Sequence, residues 1–537
     1  MMEQEQSRWL PVGTALAIAL GVVATSTAPE LTKLLAMALA SAALLLVVRV
    51  PPHPATVLVV APMALSAVFA LEPAAAWLGS IERAEGLLAA LGMATFLLLG
   101  AAQSGAARQR LYGGLIGLGA AASLYALLQR AGIDPIEWQH ASRPAATFSN
   151  ALGLAGFLTM TLPLTALLWI RQRRSWWLGA MAVQLAGLLA TGTRGAWLAV
   201  AAAAALTLVW VNAPRRWRNA ALVGVVILGV LAATLRLESL HDRLELWQRA
   251  AQAVTGDQAL VDLQSEADRH HAWRSLVGFG PDQVSAPLQQ VANIAPRDAA
   301  QDLRADRAHQ WLLDRWLATG AFGFLAAILL VAWVAVALLR HARHSDRAEA
   351  LALGAALGAY AFHLQLAFAT MRDRALAYLL IGCALGTAAI PRSVSIARGC
   401  GVVLTLLVAA SLLPAWRESL APRWAAQRAF DAGQAAYLRA LSETESAAAL
   451  RESQGQFEHA IALSRYDIDA ALAAASAAVE LALADGDRAA LERAIDLERA
   501  VTRIRPGERR LRALRDRIWQ AQQASVSDRQ SARAADT

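Results

Sequence analysis

Apolar runs of about 17–22 residues recur along most of this chain, and each is long enough to cross the roughly 30 Å hydrocarbon layer of a membrane. No other feature restricts the fold so severely. Lipid offers no hydrogen bonds, so a backbone inside it must close its own, and a series of such runs must be helical. Composition agrees. Of 537 residues, 57% are hydrophobic and 17% charged, less charge than a soluble chain of this length carries. The expected fold class is all-α: a polytopic helical membrane protein of about 13 spans, with a long periplasmic loop and a C-terminal helical repeat-like domain.

The first run starts at Leu10. The stretch before it is polar rather than basic and leads into no small-residue cleavage site, so an uncleaved span is expected. Further spans fall near 31–48, 56–72, 84–102, 110–129, 149–170, 176–191, 195–212 and 219–235. After a long polar interval they resume near 318–339, 348–369, 375–390 and 399–415. This divides the chain into spans one to nine (1–236), a periplasmic loop bearing the candidate active site (237–317), and spans ten to thirteen (318–415). A periplasmic tetratricopeptide-like region (416–522) and a tail expected to be disordered (523–537) follow.

Arginines orient the bundle. Arg8, Arg49, Arg108 with Arg110, Arg171 with Arg173 and Arg174, and Arg215 with Arg216 and Arg218 lie in alternate loops between the runs, all on one side. Arg340, Arg343 and Arg347, then Arg392 and Arg398, continue the alternation. Such clustering marks the cytoplasmic side. The N-terminus is then inside. The long loop, the 130–148 loop, the turn from Thr191 to Arg194, and Arg372 with Arg374 are outside. An odd span count puts the C-terminal region outside as well. The formal charge of +8 follows from this rule. No basic–aromatic interleaving points to nucleic acid. Trp176, Trp177, Trp210, Trp217 and Trp416 fall at span ends, where indole rings prefer the headgroup layer. Cys383 and Cys400 fit no metal or redox spacing and read as small buried hydrophobes.

Beyond Trp416 the composition turns to Ala, Arg, Glu and Leu with helical spacing. Asp485-Gly486-Asp487 and Arg505-Pro506-Gly507 read as turns. Phe457 to Asp469 and Ala494 to Leu514 look like helix pairs. They resemble degenerate tetratricopeptide repeats, which offer a concave surface to a partner. A plain helical hairpin without a ligand is the alternative.

Within the outer segments a few residues suit chemistry. Arg194, in the short turn TGTRGAW, is either a bidentate phosphate ligand or an arginine that snorkels to the interface. Arg243 lies on an expected amphipathic helix whose apolar stripe is Leu240, Leu244, Trp247, Ala251 and Val254. If RADRAHQW is helical, His309 shares a face with Asp302 and Asp306. A carboxylate one turn away would set its tautomer and raise its basicity, as a general base requires. His270 and His271 with Asp268 fit no strong metal pattern. Gly278-Phe279-Gly280-Pro281 is a turn; it lacks the strand and lysine of a phosphate loop.

Taken in order, RPAATFSN (Arg143 to Asn150), TGTRGAW, DRLELW, RSLVGFGPD and DRAHQWLLDRWLATGAFG make the chain resemble the O-antigen ligase/polymerase family of bacterial membrane glycosyltransferases. The resemblance covers roughly residues 80–340, and a repeat-like tail is a common appendage. It implies an inner-membrane enzyme that uses an undecaprenyl-diphosphate-linked glycan as donor, without a metal or other cofactor. The implied acceptor is a hydroxyl on lipid A-core, on another glycan or on a protein. His309 would then be the base, and Arg194 and Arg243 would hold the pyrophosphate. Arg143, Arg274, Asp306, Gln310 and Arg372 would support them. Gln310 stands where asparagine is frequent, and Thr193 where serine is. Guanidinium groups near low-dielectric lipid suit a pyrophosphate leaving group. The repeat region would recruit a periplasmic protein partner. Alternative readings are a protein O-oligosaccharyltransferase of the same family, a transporter or lipid-carrier flippase, and a scaffold with an inactive site. A flippase should carry ionisable groups along a path through its spans.

Overall fold

The computed structural model describes residues 2–23, 30–47, 52–80, 83–134, 136, 143–148, 150–234, 237–256, 259–291, 306–386, 422–442, 446–505, 508 and 510–535. These residues form helices, turns and one isolated bridge, Val261 to Ala267. Helices Met2–Val23, Glu30–Val47, Ala55–Val68, Leu87–Ala101, Gly105–Arg130, Ala151–Gln172, Trp176–Ala190, Arg194–Trp210 and Arg215–Thr234 take up the first nine apolar runs. Trp311–His344, Arg347–His363 and Met371–Leu385 take up the next three. The expected span at 399–415 lies outside the described residues, as do Asp302, Cys400 and Trp416.

Among the described residues, Gly105–Arg130, Ala151–Gln172 and Trp311–His344 are long and apolar enough to cross a membrane, and six shorter apolar helices accompany them. The expectation of about 13 spans is therefore matched only in part. The inner faces form one apolar core that includes Leu97, Leu111, Leu154, Phe157, Leu158, Leu376 and Leu379. Outward faces stay apolar at Leu206, Val226, Ile227 and Leu329, as lipid contact requires. At the core, Leu87–Ala101 crosses Met371–Leu385 where Gly100 meets Leu379 and Gly382 meets Leu97. The missing side chains let the two backbones touch, a packing mode favoured where no hydrophobic force draws helices together.

The buried charges correct the hydropathy picture of nearly uncharged spans. Lys33, Arg108, His341, Glu349, Arg372 and Asp373 are all buried. Each lies within the first or last turns of its helix. They do not line a path through the bundle.

The long loop begins with helix Leu237–Thr255, continues through short helices Arg274–Val277 and Ser285–Gln290, and carries its own small core. The amphipathic stripe is turned from the expected one. Leu246, Ala250, Ala253 and Val254 are buried, whereas Leu244 is 46% exposed. The helix packs beneath helix Trp311–His344 and the loop at once, so contacts from two sides choose its face. Loop and span also meet differently from the expected boundary at 317. Helix Trp311–His344 starts earlier and kinks at Gly320, whose φ is +61°. A side chain at Gly320 would strike the backbone of Leu276 and Val277, and one at Gly278 (φ +76°) would strike Ala318. The two glycines thus let the loop lie directly on the kinked helix.

The C-terminal region consists of Pro422–Ser442, Ser446–Leu463, Ile468–Asp485, Arg488–Ile504 and Arg510–Ala535. Each described helix packs on the next around a second core that also takes in Leu263 of the long loop. The turn expected at Asp485-Gly486-Asp487 is present. Gly486 is left-handed at φ +64°, and the Asp487 carboxylate accepts the Ala490 N–H at 3.1 Å. The tail expected to be disordered is instead the continuation of helix Arg510–Ala535. Leu511, Leu514, Ile518 and Ala521 anchor that helix in the core. Once nucleated, it propagates cheaply through Ala, Gln and Arg.

Candidate functional site

Residues remote in sequence meet around the 364–370 segment, which links helices Arg347–His363 and Met371–Leu385. The Leu364 carbonyl accepts the Trp311 N–H at 3.1 Å. Gln365 Oε1 accepts Gln310 Nε2 at 2.8 Å. The Leu366 carbonyl accepts Arg243 Nη1 at 2.7 Å. Gly195, beside Arg194, packs against the Leu366 side chain. Phe368 then faces His309, with ring centroids 5.4 Å apart, and carries the Arg83 and Arg307 guanidinium groups at 5.2 and 5.5 Å from its ring centre.

His309 is not helical, contrary to the expectation for RADRAHQW. Its φ is +52°, a strained conformation for a residue other than glycine, and one that persists where neighbours over-determine it. The neighbours are visible. The Ala308 N–H donates to Asp314 Oδ1 at 2.7 Å, and the Ala308 carbonyl accepts Trp247 Nε1 at 3.0 Å. On the other side Gln310 caps helix Trp311–His344 by accepting the Leu313 N–H at 2.6 Å. Asp306 pairs with Arg83, not with His309. Among the described residues the imidazole has no hydrogen-bond partner. Burial, then Arg243, Arg83 and Arg307, lower its pKa from the ordinary 6.5 to about 4. The basicity expected from a neighbouring carboxylate is therefore reversed.

A second group adjoins Phe368 through Arg307. Glu85 Oε1 binds Arg307 Nη2 at 2.5 Å and Arg374 Nη2 at 2.6 Å. Burial would raise the Glu85 pKa, but Arg307, Arg374 and Arg83 together hold it at about 2. Arg315 Nη2 donates to the Tyr378 hydroxyl at 3.4 Å. These residues form the polar end of a cavity of about 800 Å³. The rest of the cavity is apolar. It runs between helices Arg194–Trp210, Trp311–His344 and Arg347–His363, with walls such as Ala203, Leu206, Val334 and Leu338. Phe368 belongs to both halves of the site: it lines the cavity and contacts His309.

The expected site residues are distributed as follows. Arg243 and His309 are brought together, and Arg194 adjoins the same segment. Arg194 Nη1 and Arg307 Nε are buried without a partner among the described residues. Such donors are costly to leave unmade. Arg143 Nη1 donates to the Gly192 carbonyl at 3.4 Å, steadying the Arg194 turn. Arg274 is 2% exposed. Its guanidinium grips Asp268 through two 2.6 Å bonds and the Phe69 and Gly278 carbonyls at 2.5 and 2.8 Å. That pair also occupies the carboxylate weighed with His270 and His271 for a metal. Arg372 is fully buried, donates to the Thr147 carbonyl at 2.8 Å and stacks on Phe148. Both arginines therefore brace loops. Arg83, Glu85, Arg307, Arg315, Arg374 and Arg423 were not singled out from sequence. One signal was available: Ile81-Glu82-Arg83-Ala84-Glu85 packs three charges into a short link between apolar runs.

Fold and site together define a helical membrane protein with an arginine-rimmed cavity that opens into an apolar trough. Residues 179–328 match the family model for O-antigen ligase. The chain thus carries an O-antigen ligase family domain, which supports a bacterial membrane enzyme of the glycosyltransferase type acting between a lipid-linked glycan and an acceptor. Arg194, Arg243, Arg307, His309 and Arg315 lie inside the matched segment; Arg83, Glu85 and Arg374 lie outside it. No curated protein matches the chain.

Proposed function

We propose that this protein transfers a glycan from undecaprenyl diphosphate to a hydroxyl acceptor at the periplasmic face of the inner membrane. The observation that carries this reading is the two-part cavity: Arg83, Arg307, Arg315 and Arg374 at one end, and an apolar trough between three helices at the other. A diphosphate fits the first, and a polyprenyl chain fits the second. The acceptor oxygen attacks the anomeric carbon and its proton passes to His309. The bond from that carbon to the diphosphate oxygen breaks, and its electron pair leaves with the diphosphate. Direct displacement inverts the carbon. Guanidinium groups held in place beforehand stabilise the charge as it grows on the leaving group. Arg194 and Arg243 hold the diphosphate from the His309 side, with Arg143, Asp306, Gln310, Arg274 and Arg372 supporting the surrounding loops.

The low His309 pKa has a use in this scheme. At neutral pH the imidazole is uncharged, so its lone pair is available. An arriving diphosphate offsets Arg83, Arg243 and Arg307, the charges that disfavour imidazolium. The donor thereby raises the basicity of His309 at the moment it is needed.

Replacing His309 with Ala and comparing surface polysaccharide with the lipid-linked intermediate tests the proposal. The expected result is a rate loss of about 10²–10⁴-fold with build-up of the intermediate. Unchanged surface glycan would remove His309 as the base. The acceptor remains a hydroxyl on lipid A-core, a growing glycan or a protein, and the repeat-like C-terminal region is suited to bringing a protein partner to it.

A further inference from the structure

The C-terminal helices reach the cavity. Arg423, in the first turn of helix Pro422–Ser442, is one of the cavity-lining residues, although it follows the last expected span. Its Nε binds Glu72 Oε2 at 3.1 Å, and its Nη1 donates to the Asp282 carbonyl at 2.7 Å. A guanidinium has five N–H donors, so the remaining ones are not engaged by described residues.

Glu72 is the point at which this region is fastened. Its Oε1 accepts the Arg465 N–H at 2.8 Å and the Ser464 hydroxyl at 3.3 Å. Its own backbone is held from both sides by Gln283, at 2.8 and 2.6 Å. A second tie joins the Leu263 N–H to the Arg465 carbonyl at 3.1 Å. The fastening leads directly to the anion-binding end. Asp282 Oδ2 accepts the Ser80 N–H at 2.6 Å, the Ser80 hydroxyl at 2.9 Å and the Glu85 N–H at 3.4 Å. Glu85 in turn bridges Arg307 and Arg374.

We propose that the C-terminal helical region is a wall of the substrate cavity, with Arg423 positioning the phosphate end of the lipid-linked donor and Glu72 latching the region in place. This rests on the reading of the cavity as the diphosphate site. Arg423 acts on donor binding. It takes no part in proton transfer.

The test uses the full-length protein in lipid nanodiscs, with undecaprenyl diphosphate as the binding probe and turnover as a second measurement. Arg423→Ala should weaken probe binding and raise the donor KM about tenfold while kcat changes by less than about twofold. Arg423→Lys should fall between, because lysine keeps the charge and loses the fork. Arg439→Ala, which removes an exposed pair within the same region, should match wild type. Arg423→Gln separates the roles. Its amide keeps a donor for Glu72 and removes the charge, while the Ser464 and Arg465 bonds to Glu72 stay in place, so a purely fastening role predicts binding near wild type, whereas a charge that positions the phosphate predicts a loss close to that of Arg423→Ala. Wild-type binding in Arg423→Gln or in Arg423→Ala would overturn the inference and leave the cavity reading intact. Failure of the wild type itself to bind the probe, or indifference of Arg307→Ala, would overturn the cavity reading first.

Discussion

Two carboxylates, Glu85 and the more deeply buried Glu349, collect arginines near opposite ends of helix Trp311–His344. Glu85 meets Arg307 and Arg374 beside the start of helix Trp311–His344. Glu349 meets Arg108 Nε at 2.8 Å, the Tyr112 hydroxyl at 2.8 Å, Arg171 at 3.8 Å and His341 Nε2 at 3.7 Å, the last near the far end of that helix. The chemistry is alike and the surroundings differ. Glu349 is sealed among packed helices and lines no part of the cavity, whereas Glu85 and its arginines open onto it. A sealed cluster can only tie helices together. An open one can exchange part of its pairing for a ligand's charge. Charge count would not separate the two clusters; access does, with 15% of the Glu85 side chain exposed against 3% of that of Glu349.

The largest effect expected from this contrast is on folding. Arg108→Ala leaves Glu349 buried with its best partner removed, and breaking such a pair costs about 3–5 kcal/mol. The yield of folded protein in membranes, and its thermal midpoint in detergent, should fall sharply. Arg307→Ala should behave in the opposite way. Glu85 keeps Arg374, so yield should stay near wild type while turnover drops by about 10²–10³-fold. Equal losses of yield in both variants would erase the distinction between a lock and a site.

The smallest effect is in pH dependence. As the proposed base, His309 works as a neutral imidazole, and its pKa lies below the ordinary value. Hence kcat/KM should hold from neutrality downward and fall only as pH drops through about 4. Because the bound donor offsets the nearby guanidiniums, the acid limb of kcat should lie higher than that of kcat/KM. Arg243→Gln removes the second-largest cause of the shift, after burial, and should move the kcat/KM limb up toward 6.5. A limb already near 6.5 in the wild type would show that His309 is not surrounded by uncompensated charge.

The legible parts of the candidate site share a property. Arg243, His309 and Arg194 sit in polar breaks between apolar runs, where a charged or titratable side chain stands out. The errors share one too. The helix bearing Arg243 was expected, but its buried face depends on what covers it, and Leu244 turned outward. His309 was expected on a helix, but the Ala308 carbonyl is held by Trp247 from 61 positions away in sequence, and no local pattern encodes that bond. Arg307 stands two residues before His309, and nothing near it in the sequence marks its pairing with Glu85.

From sequence alone came the membrane, the helices and their approximate ends, because lipid forces each apolar run to satisfy its own backbone and so writes the answer locally. Tertiary structure alone decided which arginines face one another. Arg83, Glu85, Arg307, Arg374 and Arg423 come from four separate segments, and their convergence depends on how helices cross, on backbone contacts at Gly278 and Gly320, and on a C-terminal region folding back to Glu72. Such contacts leave no period in the sequence, since their energy belongs to pairs of residues far apart along the chain.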